Sequence, residues 1–321
     1  RETNGALMFD GLGELVDAVV EMVHFDEDTL FDRMASRGQL TPALLTRLSH
    51  TVAGFHADAP IDHRRTGAAR LASVLDANAR ALSATAGTYT SGADAALTAG
   101  LRVAFERYEA LLNARGRAGK VRRCHGDLHL SNICLVDGAP TLFDCIEFDD
   151  EIATIDVLYD LVFIVMDLWH HNLKAGANLV FNRYFDDCDE IDGLPLMPFF
   201  MALRASIRAH VLATQSEEAV GRRHEELVRD ARAYIASALQ FLALVPPRLV
   251  VIGGLSGTGK STIAAAVASQ IGPAPGARIL ASDRIRKHLY GVPAEVRLPA
   301  AAYRPEVSQD VYTALRQSAT A

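Results

Sequence analysis

The sequence has no apolar run approaching the roughly 18–20 residues that a membrane-spanning helix needs. Its longest candidate, Leu161 to Met166, is bracketed by Asp160 and Asp167 and reads as a buried helix segment. The N-terminus, Arg1-Glu2-Thr3-Asn4, lacks the apolar core of a secretory signal, so a cytoplasmic protein with no membrane partner is expected. It also lacks an initiator Met, which reads as a fragment of a longer chain. Cysteine is scarce: Cys124, Cys134, Cys145 and Cys188 form no C-x-x-C pair. That argues against a disulfide framework or a zinc site, and for small buried residues in a reducing compartment. Basic residues are not in excess. The formal net charge is −7, which weighs against nucleic acid as a partner. No internal repeat or low-complexity tract occurs. What is present suits a globular chain with real cores: 321 residues, half of them hydrophobic and 22% charged, enough for two domains.

Residues 15–23 are Val-rich and strand-like, and a helix is expected over Asp28–Ser36, ended by Gly38. Thr41-Pro42 reads as an N-cap and first-turn proline ahead of Leu44, Leu45, Leu48, Val52 and Phe55 at helical spacing. Residues 64–116 are Ala/Leu-rich and helical, with a break near Gly87–Gly92. From Val121 the texture changes. Ile133–Val136 and Thr141–Phe143 read as short strands joined by a turn at Asp137-Gly138. Helices are expected over residues 154–170, 177–186, 196–215 and 217–244. Pro246-Pro247 is the best domain boundary, dividing residues 1–245 from 248–321. The first part patterns as α+β and the second, with strand, glycine loop, helix and strand, as α/β.

Gly254-Leu255-Ser256-Gly257-Thr258-Gly259-Lys260-Ser261 fits G-x-x-x-x-G-K-[ST], between an expected strand at Leu249–Ile252 and an expected helix at Thr262–Gln270. Glycines let backbone N–H groups wrap toward phosphate oxygens, and the N-terminus of the following helix favours negative charge. Gly254, Gly257, Thr258, Gly259, Lys260, Ser261 and Thr262 are therefore the expected ATP-binding residues. In this motif Lys260 reaches the β/γ-phosphates and the Ser261 hydroxyl is a Mg²⁺ ligand. Beyond a short strand near Arg278–Leu280, Asp283 is a candidate base for an acceptor hydroxyl, or else Ser282 or Asp283 caps a helix. About 70 residues follow Pro247, whereas domains commonly run about 100–150, and no second acidic strand end is visible. The second module is expected to be cut short.

Residues 125–132 read H-G-D-L-H-L-S-N, and Asp144 ends the next short strand in L-F-D-C-I-E-F. An Asp and an Asn on one loop can face a nucleotide from two sides, one taking the acceptor proton and the other holding Mg²⁺. This pattern resembles the aminoglycoside phosphotransferase family, which includes choline and related small-molecule kinases of the protein-kinase-like fold. The resemblance implies Asp127 as catalytic base, Asn132 and Asp144 as Mg²⁺ ligands, and His125 and His129 as residues that hold the loop's shape. It also implies that Val19–Val23 is a hinge and that Asp156 bonds the catalytic-loop backbone. The stretch from I-E-F-D-D through D-V-L-Y-D-L-V-F-I-V-M-D-L resembles a bacterial subgroup in which this domain is joined to a C-terminal P-loop domain of AAA-ATPase or gluconate-kinase-like type. The implied fold is a mostly helical kinase-like C-lobe followed by an incomplete α/β P-loop NTPase domain. The family's N-lobe lysine has no counterpart, since no Lys precedes Lys120.

The expected activity is ATP- and Mg²⁺-dependent phosphoryl transfer to a small-molecule hydroxyl. The alternatives are a nucleotide-binding regulatory protein and an ATPase. The acidic run Asp186, Asp187, Asp189, Glu190 and Asp192 could line a pocket for a polycation or lie in a solvated loop. Arg204 and Arg208 either sit on an exposed helix face or turn to the pocket, where they would suit an anionic acceptor. Fold and motif fix the reaction class and leave the acceptor open; the oligomeric state is open too.

Overall fold

A computed structural model describes residues 2–3, 6–9, 11–17, 26–255, 257–292 and 296–320. The strand expected at residues 15–23 falls mostly outside these, and the hinge expected at Val19–Val23 wholly so. A two-residue hairpin pairs β1 (Glu2–Thr3) with β2 (Ala6–Leu7). The expected helix at Asp28–Ser36 is divided: a single 3-10 turn at Glu27–Thr29, capped by Asp26, precedes α1 (Phe31–Ser36).

In α2 (Pro42–Asp58) the Thr41 hydroxyl accepts from the Leu44 amide, and Leu45, Leu48 and Val52 point into the core. Such a cap is worth about 1 kcal/mol. α3 (Gly67–Ala84) and α4 (Ala93–Arg117) cross closely through glycine: a Cβ on Gly67 would stand 2.3 Å from the Leu112 carbonyl oxygen. β3 (Val121–Arg123) pairs antiparallel with β6 (Thr154–Asp156), and β4 (Ile133–Val136) with β5 (Ala139–Leu142) around the Asp137-Gly138 turn. A short α5 (Asp150–Ala153) leads into β6.

The centre is α6 (Val157–His170). Every residue from Val157 to Leu168 is buried, Asp160 and Asp167 included. A helix apolar on all sides must be wrapped on all sides. Here α7 (Lys174–Asp187), α8 (Met197–Glu218) and the turn at Leu130–Asn132 do this. α8 also packs along α9 (Gly221–Phe241). The helical stretch Ile191–Glu218 is long and apolar enough to cross a membrane, yet two-thirds of its most apolar window is buried in the protein, as expected of a core helix.

Beyond α9 the chain changes character. Leu249–Ile252 does not form the expected strand. It is irregular and Leu249 and Val251 are 74% and 82% exposed. A strand needs a neighbour for its ladder, and no described segment pairs with it. The helix after the glycine loop does form, as α10 (Lys260–Ala268), because its hydrogen bonds are internal. Arg278–Leu280 is likewise not a strand. Its backbone is taken up by α7: Asn182 Oδ1 accepts from the Ile279 amide at 2.7 Å, and the Asn178 amide donates to the Pro275 and Ala277 carbonyls. α11 (Ser282–Leu289) and α12 (Pro305–Thr320) pack on each other. The described residues of the second part are thus helices and loops, without the α/β sheet its pattern suggested.

Candidate active site

The H-G-D-L-H-L-S-N segment is clamped to α6 by two buried aspartates. Asp160 accepts from the His125 amide at 3.1 Å and the Gly126 amide at 2.9 Å, and Asp167 accepts from the Leu130 amide at 3.0 Å. The role expected of Asp156 belongs to these residues. Asp156 instead caps α6 through the Leu158 amide and pairs with Arg115, which donates from Nε at 2.8 Å and Nη2 at 2.9 Å. The signal for Asp160 and Asp167 was in the sequence: two acids seven residues apart fall on one face of a helix whose other residues from Leu161 to Leu168 are all apolar. Leu128 and Leu130 anchor the segment in the core at zero exposure. Gly126 takes φ +85°, and a Cβ there would lie 2.9 Å from the Ile146 side chain, so the glycine answers both backbone and space.

Between these anchors Asp127 is held with its side chain 43% exposed. The Asn132 amide donates to the Asp127 carbonyl at 2.9 Å and to its Oδ2 at 3.1 Å, while His129 Nε2 lies 3.3 Å from the same Oδ2. Burial pushes the Asp127 carboxyl up. The His129 hydrogen bond and charge, then the charges of Arg204 and Arg208, outweigh it and hold the carboxyl below its ordinary value. Both histidines shape the loop: His129 Nδ1 accepts from the Ser131 amide, and His125 Nε2 contacts the Phe143 carbonyl at 2.8 Å.

That last contact ties the loop to the β5 end, where Asp144 stands exposed at φ +58°. On either side of Asp144, the Phe143 amide donates to the Asn132 carbonyl and the Ile146 amide to the His125 carbonyl. Asp144 and Asn132 are therefore held by one hydrogen-bonded unit. The Asn132 NH₂ is spent on Asp127, which leaves its amide oxygen as the ligand atom. With the Asp144 carboxylate it makes an all-oxygen donor set, the kind Mg²⁺ prefers.

Arg204 is buried, not on an exposed face. Its guanidinium lies 4.0 Å from the Tyr159 ring centroid and 4.6 Å from that of Phe163, and Nε donates to the Tyr159 carbonyl. The acidic run does face a pocket: Asp186, Asp189 and Glu190 line it, together with Arg278 and Arg284. Asp186 pairs with Arg183, Arg278 and Arg284, and Asp187 with His50. Glu190 and Asp192 join Asp156 around the fully buried Arg115, and Lys120 lies 2.7 Å from Glu190.

In the glycine loop, Ser256 lies outside the described residues. Gly254, Gly257 and Gly259 take φ of +152°, +80° and +83°, and Gly259 caps α10, whose first turn carries Lys260, Ser261 and Thr262. The Lys260 ammonium folds back across the loop onto the Leu255 carbonyl at 2.6 Å, beside the Thr258 hydroxyl on the same oxygen at 2.8 Å. A curled loop of backbone N–H groups at a helix N-terminus, with a lysine across it, fits a polyphosphate. Asp283 lies in the first turn of α11, where neither it nor Ser282 caps the helix. It pairs with Lys287 at 2.9 Å and accepts from the Tyr303 hydroxyl at 3.2 Å.

A protein-family model described as "Phosphotransferase enzyme family" matches residues 13–197, more than half the chain. Uncharacterized proteins of Mycobacterium tuberculosis and Mycobacterium bovis are 33% identical over 181 residues, which is 56% of this chain and 35% of theirs. The match thus spans about a third of those relatives' length. No solved structure matches significantly.

Proposed function

Because this chain belongs to the phosphotransferase enzyme family, we propose that it transfers the γ-phosphoryl group of ATP to a hydroxyl of a small molecule, with Asp127 as the base. The observation that carries this reading is the fixed geometry of Asp127. Its carboxylate is partly open, oriented by Asn132 and His129, and hydrogen-bonded through the loop to the segment just after β5 that carries Asp144. Asn132 and Asp144 would hold Mg²⁺, which when bound offsets the charge of the phosphates. Asp127 orients the acceptor hydroxyl and takes its proton as the acceptor oxygen bonds to phosphorus; ADP departs with the electron pair of the broken P–O bond. A carboxyl kept below its ordinary pKa is charged and ready throughout the neutral range.

Residues 248–321 enter the proposal as a second phosphate-binding module, with Gly254, Gly257, Thr258, Gly259, Lys260, Ser261 and Thr262 around the phosphates and Asp283 as its candidate base. The reading in which this module binds nucleotide and regulates draws support from the exposure of the segment leading into it. The proposed partner is a small-molecule acceptor, with no nucleic acid and no membrane. The test is Mg²⁺-dependent ATP turnover with and without alcohols and sugars, comparing the parent with Asp127→Asn and Lys260→Ala. Loss of acceptor-stimulated turnover in Asp127→Asn supports the assignment. Turnover untouched by that change refutes it. Loss confined to Lys260→Ala moves the chemistry to the second module.

A further inference from the structure

Behind the grip of Asp160 on the catalytic loop stands a second tier of hydrogen bonds. Asp160 holds the Gly126 amide on Oδ1 and the His125 amide on Oδ2. His56, on α2, adds a third partner: its Nε2 lies 3.1 Å from Oδ2. On the other side of the ring, Nδ1 lies 2.8 Å from the hydroxyl of Tyr184, on α7. The two rings meet edge to face with 5.6 Å between centroids, and His56 and Tyr184 are 2% and 1% exposed. Arg204 stands 3.8 Å from Oδ1, too far for a hydrogen bond.

The direction of this chain follows from its acceptor. Burial pushes the Asp160 carboxyl up, but the His56 hydrogen bond and the Arg204 charge hold it below its ordinary value, and a carboxylate only accepts. His56 therefore donates from Nε2. Burial pushes the Tyr184 phenol up, so it keeps its proton and can donate to Nδ1. Cys124 belongs to the same cluster, with ligand atoms of all three residues within 4.8 Å of one another. Its thiol is turned to the Ile155 carbonyl at 3.6 Å, and burial pushes it well above its ordinary pKa. The second anchor is built alike: Asp167 holds the Leu130 amide on Oδ2 and takes the Tyr234 hydroxyl on Oδ1 at 3.1 Å. The terminal torsion of an aspartate is broad, so a donor from another helix is what fixes the angle of each carboxylate.

We propose that His56 and Tyr184 are positioning residues: together they hold the Asp160 carboxylate at the angle that keeps the His125 and Gly126 amides, and with them Asp127, in place. Neither touches the reacting atoms; both act through Asp160. For its effect on catalysis this inference rests on the phosphotransfer reading above.

The test compares the parent with His56→Leu, His56→Gln, Tyr184→Phe and His56→Leu combined with Tyr184→Phe. Amide hydrogen exchange is followed over residues 124–132 and over residues 157–168 of α6, beside Mg²⁺-dependent ATP turnover with alcohols and sugars. His56→Leu is expected to speed exchange of the loop by about tenfold or more, the effect of stranding a buried partner, and to lower turnover to match, with α6 unchanged. Glutamine can place an amide N–H near the position of Nε2–H, so His56→Gln should restore most of both. Tyr184→Phe should act in the same direction but less. It should add nothing to His56→Leu, in which the chain is already cut. The proposal is overturned if His56→Leu leaves loop exchange unchanged, or if α6 exchange rises equally, the mark of a plain core contact. It is also overturned if His56→Gln restores nothing, if Tyr184→Phe keeps its full effect beside His56→Leu, or if the parent carries stoichiometric zinc that His56→Leu removes. Should His56→Leu fail to fold, His56→Gln and Tyr184→Phe carry the comparison. A parent that turns over no ATP refutes the phosphotransfer reading, and loop exchange then decides the positioning role by itself.

Discussion

The two candidate phosphate-handling segments of this chain sit in opposite physical settings. The H-G-D-L-H-L-S-N segment is bolted to a buried helix by Asp160 and Asp167, and its side chains are positioned by a network that closes on itself. The glycine loop has positive φ at Gly254, Gly257 and Gly259 and a helix after it, but its leading segment Leu249–Ile252 is irregular and largely exposed. Loop and helix are local structures and form from their own residues, while a strand is a shared structure and waits for neighbours. A motif can therefore be complete in sequence while its support is not in place.

This contrast can be broken at its stronger end first. Asp127→Asn is expected to lower acceptor-stimulated ATP turnover by about 10²–10⁴-fold, the usual range for a general base, with thermal unfolding little changed. Next, Arg115→Met removes the one cation surrounded by Asp156, Glu190 and Asp192. Asp156 then loses its ion partner, while Glu190 keeps Lys120; leaving a buried carboxylate unpaired typically costs about 3–5 kcal/mol, to be read from denaturant unfolding. At the weaker end, Asn182→Ala frees the Ile279 amide and the Arg278 contact from α7. Faster hydrogen exchange over residues 275–289 is expected, with the exchange of α6 unchanged. A loss of about 1–3 kcal/mol, the cost of stranding a buried partner, bounds the effect. An equal rise in α6 exchange would mean that the two regions unfold as one.

The smallest expected effect is acid sensitivity at Asp62. Burial would raise this carboxyl, but the Arg64 hydrogen bonds and the charge of Arg70 bring it down to about 2. A depressed folded-state pKa stabilises above the unfolded value and is lost as pH falls through the folded one. Stability should therefore decline between about pH 4 and pH 2, and Asp62→Asn should flatten that limb in a melting-temperature series. An unchanged acid limb would show that Asp62 carries none of it.

Much of the site's backbone was legible in the sequence. Asp137-Gly138 specifies a two-residue turn, and Thr41-Pro42 a helix start, because both act through bonds to their near neighbours. What was not legible depends on distant partners. Asp156 and Asp160 lie on adjacent turns and look interchangeable in sequence, yet one faces Arg115 and the other the catalytic loop. Arg204 follows helical spacing that fits either a wet or a dry face, and only the rings of Tyr159 and Phe163 decide it. The acidic run reads as one feature, but its members turn to different elements.

The paired grip of α6 on the catalytic loop has a consequence for how this chain can vary. Asp160 and Asp167 are two helical turns apart, about 10 Å along the axis, and they hold Gly126 and Leu130 at those two stations. The helix therefore acts as a gauge for the segment between them. Side chains there can be exchanged, but a residue inserted or deleted between Gly126 and Leu130 would put one end out of reach of its aspartate. Changes of length belong instead in the Asp137-Gly138 turn, where nothing stands within 4 Å of a Cβ on Gly138.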